Sequence, residues 1–458
     1  MSQENQLTNK MGVMPIGKLL FNMALPMILS MLVQAFYNVV DSIFVSRISE
    51  NAVTALSLAF PIQNLQIGFA TGIGVGINSL MSKSLGEKNM ERVNRTAGNG
   101  IFLTGVITVL FVLFGIFGAA PFFAGQHSIT AATEEMGTAY VSIICIGTLG
   151  IFVEILGEKL LQASGRTVYT LFTQGTGAVI NIILDPILIF GWFGLPAMGV
   201  AGAALATVIG QWVAAILAII FNIKCNPDVK FRLRYVQPCA DVIRPILTVG
   251  VPSIVMMAVG SVMTYGMSQI LQSFTAYGET PAGVFGIYFK LQSFFFMPVF
   301  GINNASISII AYNYGARQPK RITSALKWSV GAVMSIMLLG TAVFQLFPHV
   351  LLGFFQPSED FLAIGISALR TISIIFPLAA IGIALSASFQ AMGNGIYATI
   401  TSLCRQLVVL LPAAWLLSLT GDVHLVWWSF PIAEVASLLV TLVLFIRIYR
   451  QKIRPLFN

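Results

Sequence analysis

Along this chain, apolar stretches of about 20 residues or more alternate with short polar segments from one end to the other. Each stretch is long enough, as a helix rising about 1.5 Å per residue, to cross a hydrocarbon layer roughly 30 Å thick. The pattern predicts helices over roughly 19–45, 54–81, 97–120, 138–162, 168–192 and 198–222 in the first half. In the second half it predicts helices over roughly 245–273, 282–313, 323–347, 362–390, 396–419 and 426–449. The expected organisation is a tail (1–18), a first lobe (19–222), a linker (223–244), a second lobe (245–450) and a closing tail (451–458). The fold class that follows is an all-α integral membrane protein of about twelve transmembrane helices in two six-helix lobes.

Composition excludes a water-soluble fold. Of 458 residues, 57% are hydrophobic and only 9% charged, with a mean hydropathy of +0.86, whereas soluble domains carry about 25% charged residues. The N-terminal segment up to Lys18 is polar and precedes the first long helix without a short apolar core and cleavage site, so no cleaved signal peptide is expected. The cysteines Cys145, Cys225, Cys239 and Cys404 lack CxxC spacing, and neither a disulfide framework nor a metal site is expected.

The net charge of +8 would suit nucleic acid, but its placement argues otherwise. Lys83, Lys88, Arg92 and Arg95 cluster in one loop, Lys224, Lys230, Arg232 and Arg234 in another, Arg317, Lys320 and Arg321 in a third, and Lys159 and Arg166 are read as a fourth. The alternate loops carry Arg47 but otherwise acids and histidines, such as Glu134, Glu135, Glu279, Glu359, Asp360 and Asp422. Such a bias puts the basic loops and both termini in the cytoplasm and serves topology, so no nucleic-acid partner is expected. His127, His349 and His424 fall in predicted outer loops and are read as chance placements.

The chain repeats itself. Leu25-Pro26 matches Val251-Pro252, Pro61-Ile62-Gln63-Asn64-Leu65 matches Lys290-Leu291-Gln292-Ser293-Phe294, and Gly86-Glu87-Lys88 matches Gly315-Ala316-Arg317. Leu161-Gln162-Ala163-Ser164-Gly165 matches Phe389-Gln390-Ala391-Met392-Gly393 in the same register. Copies of six crossings each have one orientation, so the lobes should be related by a pseudo-twofold axis along the membrane normal, with substrate handled between them.

The six-plus-six repeat, the Gly86-Glu87-Lys88 loop and the Asn181-Ile182-Ile183-Leu184-Asp185-Pro186 run resemble the multidrug and toxic compound extrusion (MATE) family, over nearly the whole chain. Within it the chain is most similar to the MepA-like and DinF-like bacterial branch, whose functional acids fall at the positions of Asp41 and Asp185. The resemblance implies secondary active export of amphipathic, usually cationic compounds and drugs in exchange for H⁺ or Na⁺, by rocking of two lobes in the bacterial cytoplasmic (inner) membrane. It departs from the NorM-like branch: the span from Ile246 to Leu271 carries no Glu, and that from Leu362 to Gln390 no Asp.

An ionisable side chain at membrane depth costs a few kcal/mol or more, and such residues are functional by default. Asp41, Glu154, Asp185 and Glu434 are the acids read as lying there. Gln34, Asn38 and Asp41 fall at spacings of four and three on one helix face, with Tyr37 alongside. Asn181 and Asp185 are four apart, and Pro186 removes a backbone donor beside them, which frees a carbonyl. Asp41, Asp185, Asn181 and Asn38 therefore form the expected proton- or cation-coupling set, the only place where a metal ion, Na⁺, is expected. Burial favours the neutral carboxyl and a neighbouring cation the charged one, so a proton and a cation can exchange there.

Weaker substrate-cavity candidates are Gln34, Tyr37, Glu154, Thr207, Gln211 and Met297, with ordinary helix contact as the competing role for Thr207, Gln211 and Met297. Glu158 is read as a solvated neighbour of Lys159. Lys290 and Glu434 are expected to form a structural charge pair. Glycines such as Gly68, Gly72, Gly74 and Gly76 suit close helix contacts and no phosphate cradle.

No Walker, HExxH or GxSxG motif is present, so an ATP-driven pump and a membrane-embedded enzyme are disfavoured, and no cofactor or required protein partner is expected. The alternative is a flippase for a lipid-linked saccharide, which should line its cavity with cations for the pyrophosphate. The membrane charges of the first lobe read as acidic.

Overall fold

A computed structural model describes residues 9–126, 130–278, 280–355 and 358–457. His127 and Glu279 lie outside the described residues, as do the first eight residues of the polar tail. The described residues hold helices and no strand, as backbone that must satisfy its own hydrogen bonds in lipid requires.

The spans are α1 (Ile16–Ser46), α2 (Glu50–Gly86), α3 (Met90–Ala124), α4 (Ala131–Ile146 and Leu149–Ala163), α5 (Val168–Phe190) and α6 (Val200–Cys225). There follow α7 (Ala240–Gln272), α8 (Thr280–Gly315), α9 (Pro319–Leu346), α10 (Glu359–Ser373 and Phe376–Ala391), α11 (Gly395–Ser418) and α12 (Val423–Leu456). Among the described residues ten helices are long and apolar enough to cross a membrane alone, and α4 and α10 complete twelve as bent pairs.

Most helices outrun their apolar cores, because polar caps carry them on where hydropathy stops. The Ser49 side chain accepts from the Ala52 N–H at 3.1 Å, Asn89 from Arg92 at 3.0 Å and Ser358 from Phe361 at 3.3 Å.

The bends were not expected. α4 breaks by 45° and α10 by 50°. At the first break Gln66 of α2 donates to the Ile144 carbonyl at 3.1 Å and to the Thr148 hydroxyl. At the second, Thr341 and Gln345 of α9 donate to the Ser373 and Arg370 carbonyls at 2.9 and 2.6 Å. In each case a neighbouring side chain satisfies carbonyls that the helix leaves free, which makes a kink tolerable in an apolar interior.

The repeat is written in the backbone as well. Lys88 and Arg317, matched in sequence, both adopt left-handed conformations with φ of 56° and 53°, and the matched Gly165 and Gly393 have φ of 78° and 76°. A non-glycine residue there costs about 1–2 kcal/mol, so its recurrence marks a retained turn.

The chain forms two compact units. One, the N unit, is Leu29–Gly250; the other, the C unit, joins the stretch ending at Ile28 to residues from Val251 on. The two changes of unit fall beside the matched Leu25-Pro26 and Val251-Pro252. In the N unit the basic linker is strapped to α3. Asn99 donates to the Tyr235 and Gln237 carbonyls, each at 3.3 Å, and accepts from the Cys239 N–H at 2.8 Å. Asn94 accepts from Lys230 N–H at 2.7 Å, and Arg166 pairs with Asp228 at 3.2 Å. In the C unit the short helix Lys10–Val13 buries Met11, and Arg321 donates to the Met11 and Met14 carbonyls at 2.9 and 2.8 Å.

Asn99→Ala removes three linker contacts at once and is expected to cost about 1–3 kcal/mol. Limited trypsin digestion at Lys230, Arg232 and Arg234 reads the loss as faster cleavage, and an unchanged rate would disprove the strap.

Candidate functional site

Inside the N unit, α1, α4, α5 and α6 bring a set of polar side chains together. Gln34 and Tyr37 of α1 are hydrogen-bonded to each other, and the Tyr37 phenol lies within electrostatic reach of Glu154, Asp41 and Asp185. Asp41 and Asp185 are within such reach of each other. Tyr140 of α4 faces the same two acids and bonds Gln63 of α2. On α5, Asn181 donates to the Thr207 hydroxyl of α6 at 3.3 Å. That contact depends on a close crossing: a Cβ at Gly210 would stand 2.8 Å from the Gly177 carbonyl oxygen and 3.4 Å from the Asn181 Cβ.

Burial divides the two acids. Asp185 is fully buried, with relative exposure 0%, whereas Asp41 is half-buried. Asp41 Oδ1, both carboxylate oxygens of Asp185 and Asn181 Oδ1 have no hydrogen-bond partner among the described residues. Neither acid forms an ion pair with Lys or Arg among those residues. Four oxygen acceptors are thus held out of water with nothing donating to them. Buried acceptors are nearly always satisfied, so such a group asks for an explanation in function. No three of His, Cys, Asp and Glu among the described residues gather as they would around a transition metal.

The other expected residues are distributed less tidily. Asn38 is exposed on α1, and Gln211 is half-buried one turn beyond Thr207. Met297 is half-buried on α8 and belongs to the C unit, where the neighbouring Phe295 and Phe296 pack edge-on against Phe344 and Phe376, each at 5.6 Å. Tyr140 escaped the sequence reading because one tyrosine in an apolar helix carries no pattern of its own.

Two charge readings are corrected. Glu158 is buried, and its carboxylate accepts from Thr173 at 2.7 Å and Gln174 at 2.9 Å, so it is no solvated neighbour of Lys159. Lys159 is itself buried within α4 and not a loop residue; its ammonium donates to Gln162 at 3.0 Å and its stem lies over Gly74. The expected pair of Lys290 with Glu434 is absent as well. Lys290 is exposed, and Glu434 faces Arg405 at 3.8 Å. The reason is packing: the π-helical segment Cys404–Leu410 of α11, which carries Arg405, lies against α12, whereas Lys290 is on an exposed face of α8.

A helical membrane protein with ten to twelve candidate spans and unpaired acids among the described helices has the build of a transporter. The chain belongs to the MatE family, whose model matches residues 26–187 and 252–416, one stretch in each repeat. Multidrug export protein MepA of Staphylococcus aureus is 26% identical over 430 residues, 92% of this chain and 91% of the relative. MepA of Staphylococcus saprophyticus is 26% identical over 437 residues, 94% and 93% of the two chains. Among solved structures, a MATE transporter in complex with MaL6 superposes with a TM-score of 0.88 at 25% identity, covering 98% of both chains. A MOP superfamily transporter from Pyrococcus furiosus does so with a TM-score of 0.89 at 24% identity and the same coverage. The chain is therefore a multi-pass membrane transporter and not an enzyme.

Proposed function

We propose that the protein exports drugs and other amphipathic organic cations across the bacterial cytoplasmic membrane in exchange for H⁺ or Na⁺, by alternating access, with both termini in the cytoplasm. The substrate class is supported by what the MepA relatives are named for. The topology is supported by the Lys and Arg bias of alternate loops.

One observation carries the coupling: the buried Asp41, Asp185 and Asn181 oxygens without donors. Two carboxylates in one dry site cannot both stay charged without a proton or a cation between them. Oxygen-only donors suit Na⁺ as well as H⁺. In this reading Asp185, the deeper group, holds the coupling ion, and Asp41 couples its occupancy to α1. Asn181 adds an amide oxygen while its NH₂ is committed to Thr207. Asn38 joins only if α1 turns, which is one form the outward-to-inward step can take. Tyr37, Gln34 and Glu154 then meet the substrate, the phenol offering a π face and the carboxylate a negative charge to an organic cation.

The test is efflux of ethidium from cells expressing wild type or Asp41→Asn, with the proton and Na⁺ gradients collapsed separately. Wild-type efflux that the variant loses by about tenfold or more, and that one gradient alone supports, is the expected result and names the ion. Undiminished efflux by Asp41→Asn removes the coupling role. A correctly inserted wild type that moves no cation returns the lipid-linked saccharide to consideration.

A further inference from the structure

The C unit holds an acid that neither the family match nor the coupling site accounts for. Glu434 of α12 is buried, with relative exposure 7%. Its carboxylate makes no hydrogen bond among the described residues, and its one ion-pair partner there, Arg405, stands 3.8 Å away with its side chain 32% exposed. A structural carboxylate in this protein looks different: that of Glu158 accepts two short hydrogen bonds. A buried bridge that served the fold alone should be close and further bonded, since the attraction must offset the loss of water.

The surroundings of Glu434 are aromatic. Phe430 lies one helical turn before it, and its ring is 6.1 Å from Phe285, tilted, and 6.0 Å from Tyr288, edge-on, the two α8 rings being stacked at 6.5 Å. Tyr288 lies within electrostatic reach of both Glu434 and Arg405. Arg405 sits on the π-helical turn of α11, a distortion frequent at functional sites. Gly382 of α10 adds no bulk: a Cβ there would stand 3.6 Å from the carboxylate. An acid set among aromatic rings recognises an organic cation by charge and by π faces together.

We propose that Glu434, walled by Tyr288, Phe285 and Phe430, is a second site for organic cations, and that Arg405 is a tethered competitor that vacates it when a cationic ligand enters. The loose pair is then a resting state. The proposal rests on the preceding reading only for the class of compound; the site is separate from Asp41 and Asp185 and needs no transport to be detected.

The measurement is equilibrium dialysis of radiolabelled tetraphenylphosphonium against the purified full chain, in an Asp41→Asn/Glu154→Gln/Asp185→Asn background that neutralises the N-unit acids assigned to ion and substrate. The background is expected to bind one equivalent. Adding Arg405→Gln should tighten binding by about tenfold, because a tethered competitor acts at an effective concentration in the millimolar range. Adding Glu434→Gln should abolish it. Because Arg405→Gln leaves a lone buried carboxylate that can unfold the chain, Arg405→Gln/Glu434→Gln is measured too; it should melt like the background and bind nothing. No binding to the background, retained binding by folded Glu434→Gln or by the double neutral variant, or unchanged affinity in folded Arg405→Gln overturns the site. Loss of the Asp41-dependent efflux proposed above would leave this assay readable.

Discussion

Asp185→Asn is expected to make the protein more stable and unable to couple. The wild-type carboxylate is fully buried and neither oxygen has a donor among the described residues. Each unpaired polar atom of this kind costs about 1–3 kcal/mol. Asparagine keeps the shape and removes the charge. Its NH₂ can donate to one of the orphaned oxygens of Asp41 or Asn181. The melting temperature in detergent should therefore rise by a few degrees, equivalent to about 1–2 kcal/mol. Ion-driven export should fall about tenfold or more in the same protein. The opposed signs are the informative part, since residues kept for function at the expense of stability behave this way. If Asp185 merely joined α5 to its neighbours, the isosteric amide would preserve both properties. A lower melting temperature with efflux intact would refute the coupling role.

The fold was legible because hydrocarbon imposes one requirement on every span: long apolar helices with their backbone satisfied internally. All twelve predicted stretches are helical, and the matched turns at Lys88 and Arg317 share an unusual backbone. The bends at α4 and α10 were not legible, because Gln66 and Gln345 stabilise them from other helices. Of the Gln34-Asn38-Asp41 stripe, Gln34 and Asp41 reach the polar cluster, as do Asn181 and Asp185, since most of a polar stripe on an apolar helix must face inward.

What failed were readings that required knowing neighbours. Glu158 beside Lys159 near a helix end looks solvated until Thr173 and Gln174 are seen to cover it. Glu434 was expected opposite Lys290 and faces Arg405 instead, because which helix packs against α12 is not written in the spacing of either charge. Asn38 shares the stripe of Asp41 and is nonetheless exposed, because a helix face has edges as well as a centre.

Gly76→Ala is expected to be strongly damaging, because the added methyl meets main chain in the N unit. Gly72 and Gly76 lie four apart on α2, and the opening segment of α7 crosses them. A Cβ at Gly76 would lie 2.2 Å from the Ile246 carbonyl oxygen, and one at Gly250 would lie 3.2 Å from the Gly72 carbonyl oxygen. Spacing of this kind lets helices approach backbone to backbone in a membrane, where association relies on packing. The obstructing atom is main chain, so no side-chain rotation relieves it. The helices must part by about 1 Å or more, giving up contacts made by the buried Ile73, Ile246 and Val249, at a cost of about 3 kcal/mol. The control is Gly105→Ala on α3, where a Cβ would meet nothing within 4 Å. That change removes a glycine from a helix interior and should be neutral or stabilise by about 0.5–1 kcal/mol. Thermal scanning with size-exclusion readout should place the Gly76→Ala midpoint several degrees below wild type and that of Gly105→Ala at or above it. Equal midpoints for the two variants would mean that α7 is not seated on α2 as closely as the structure has it.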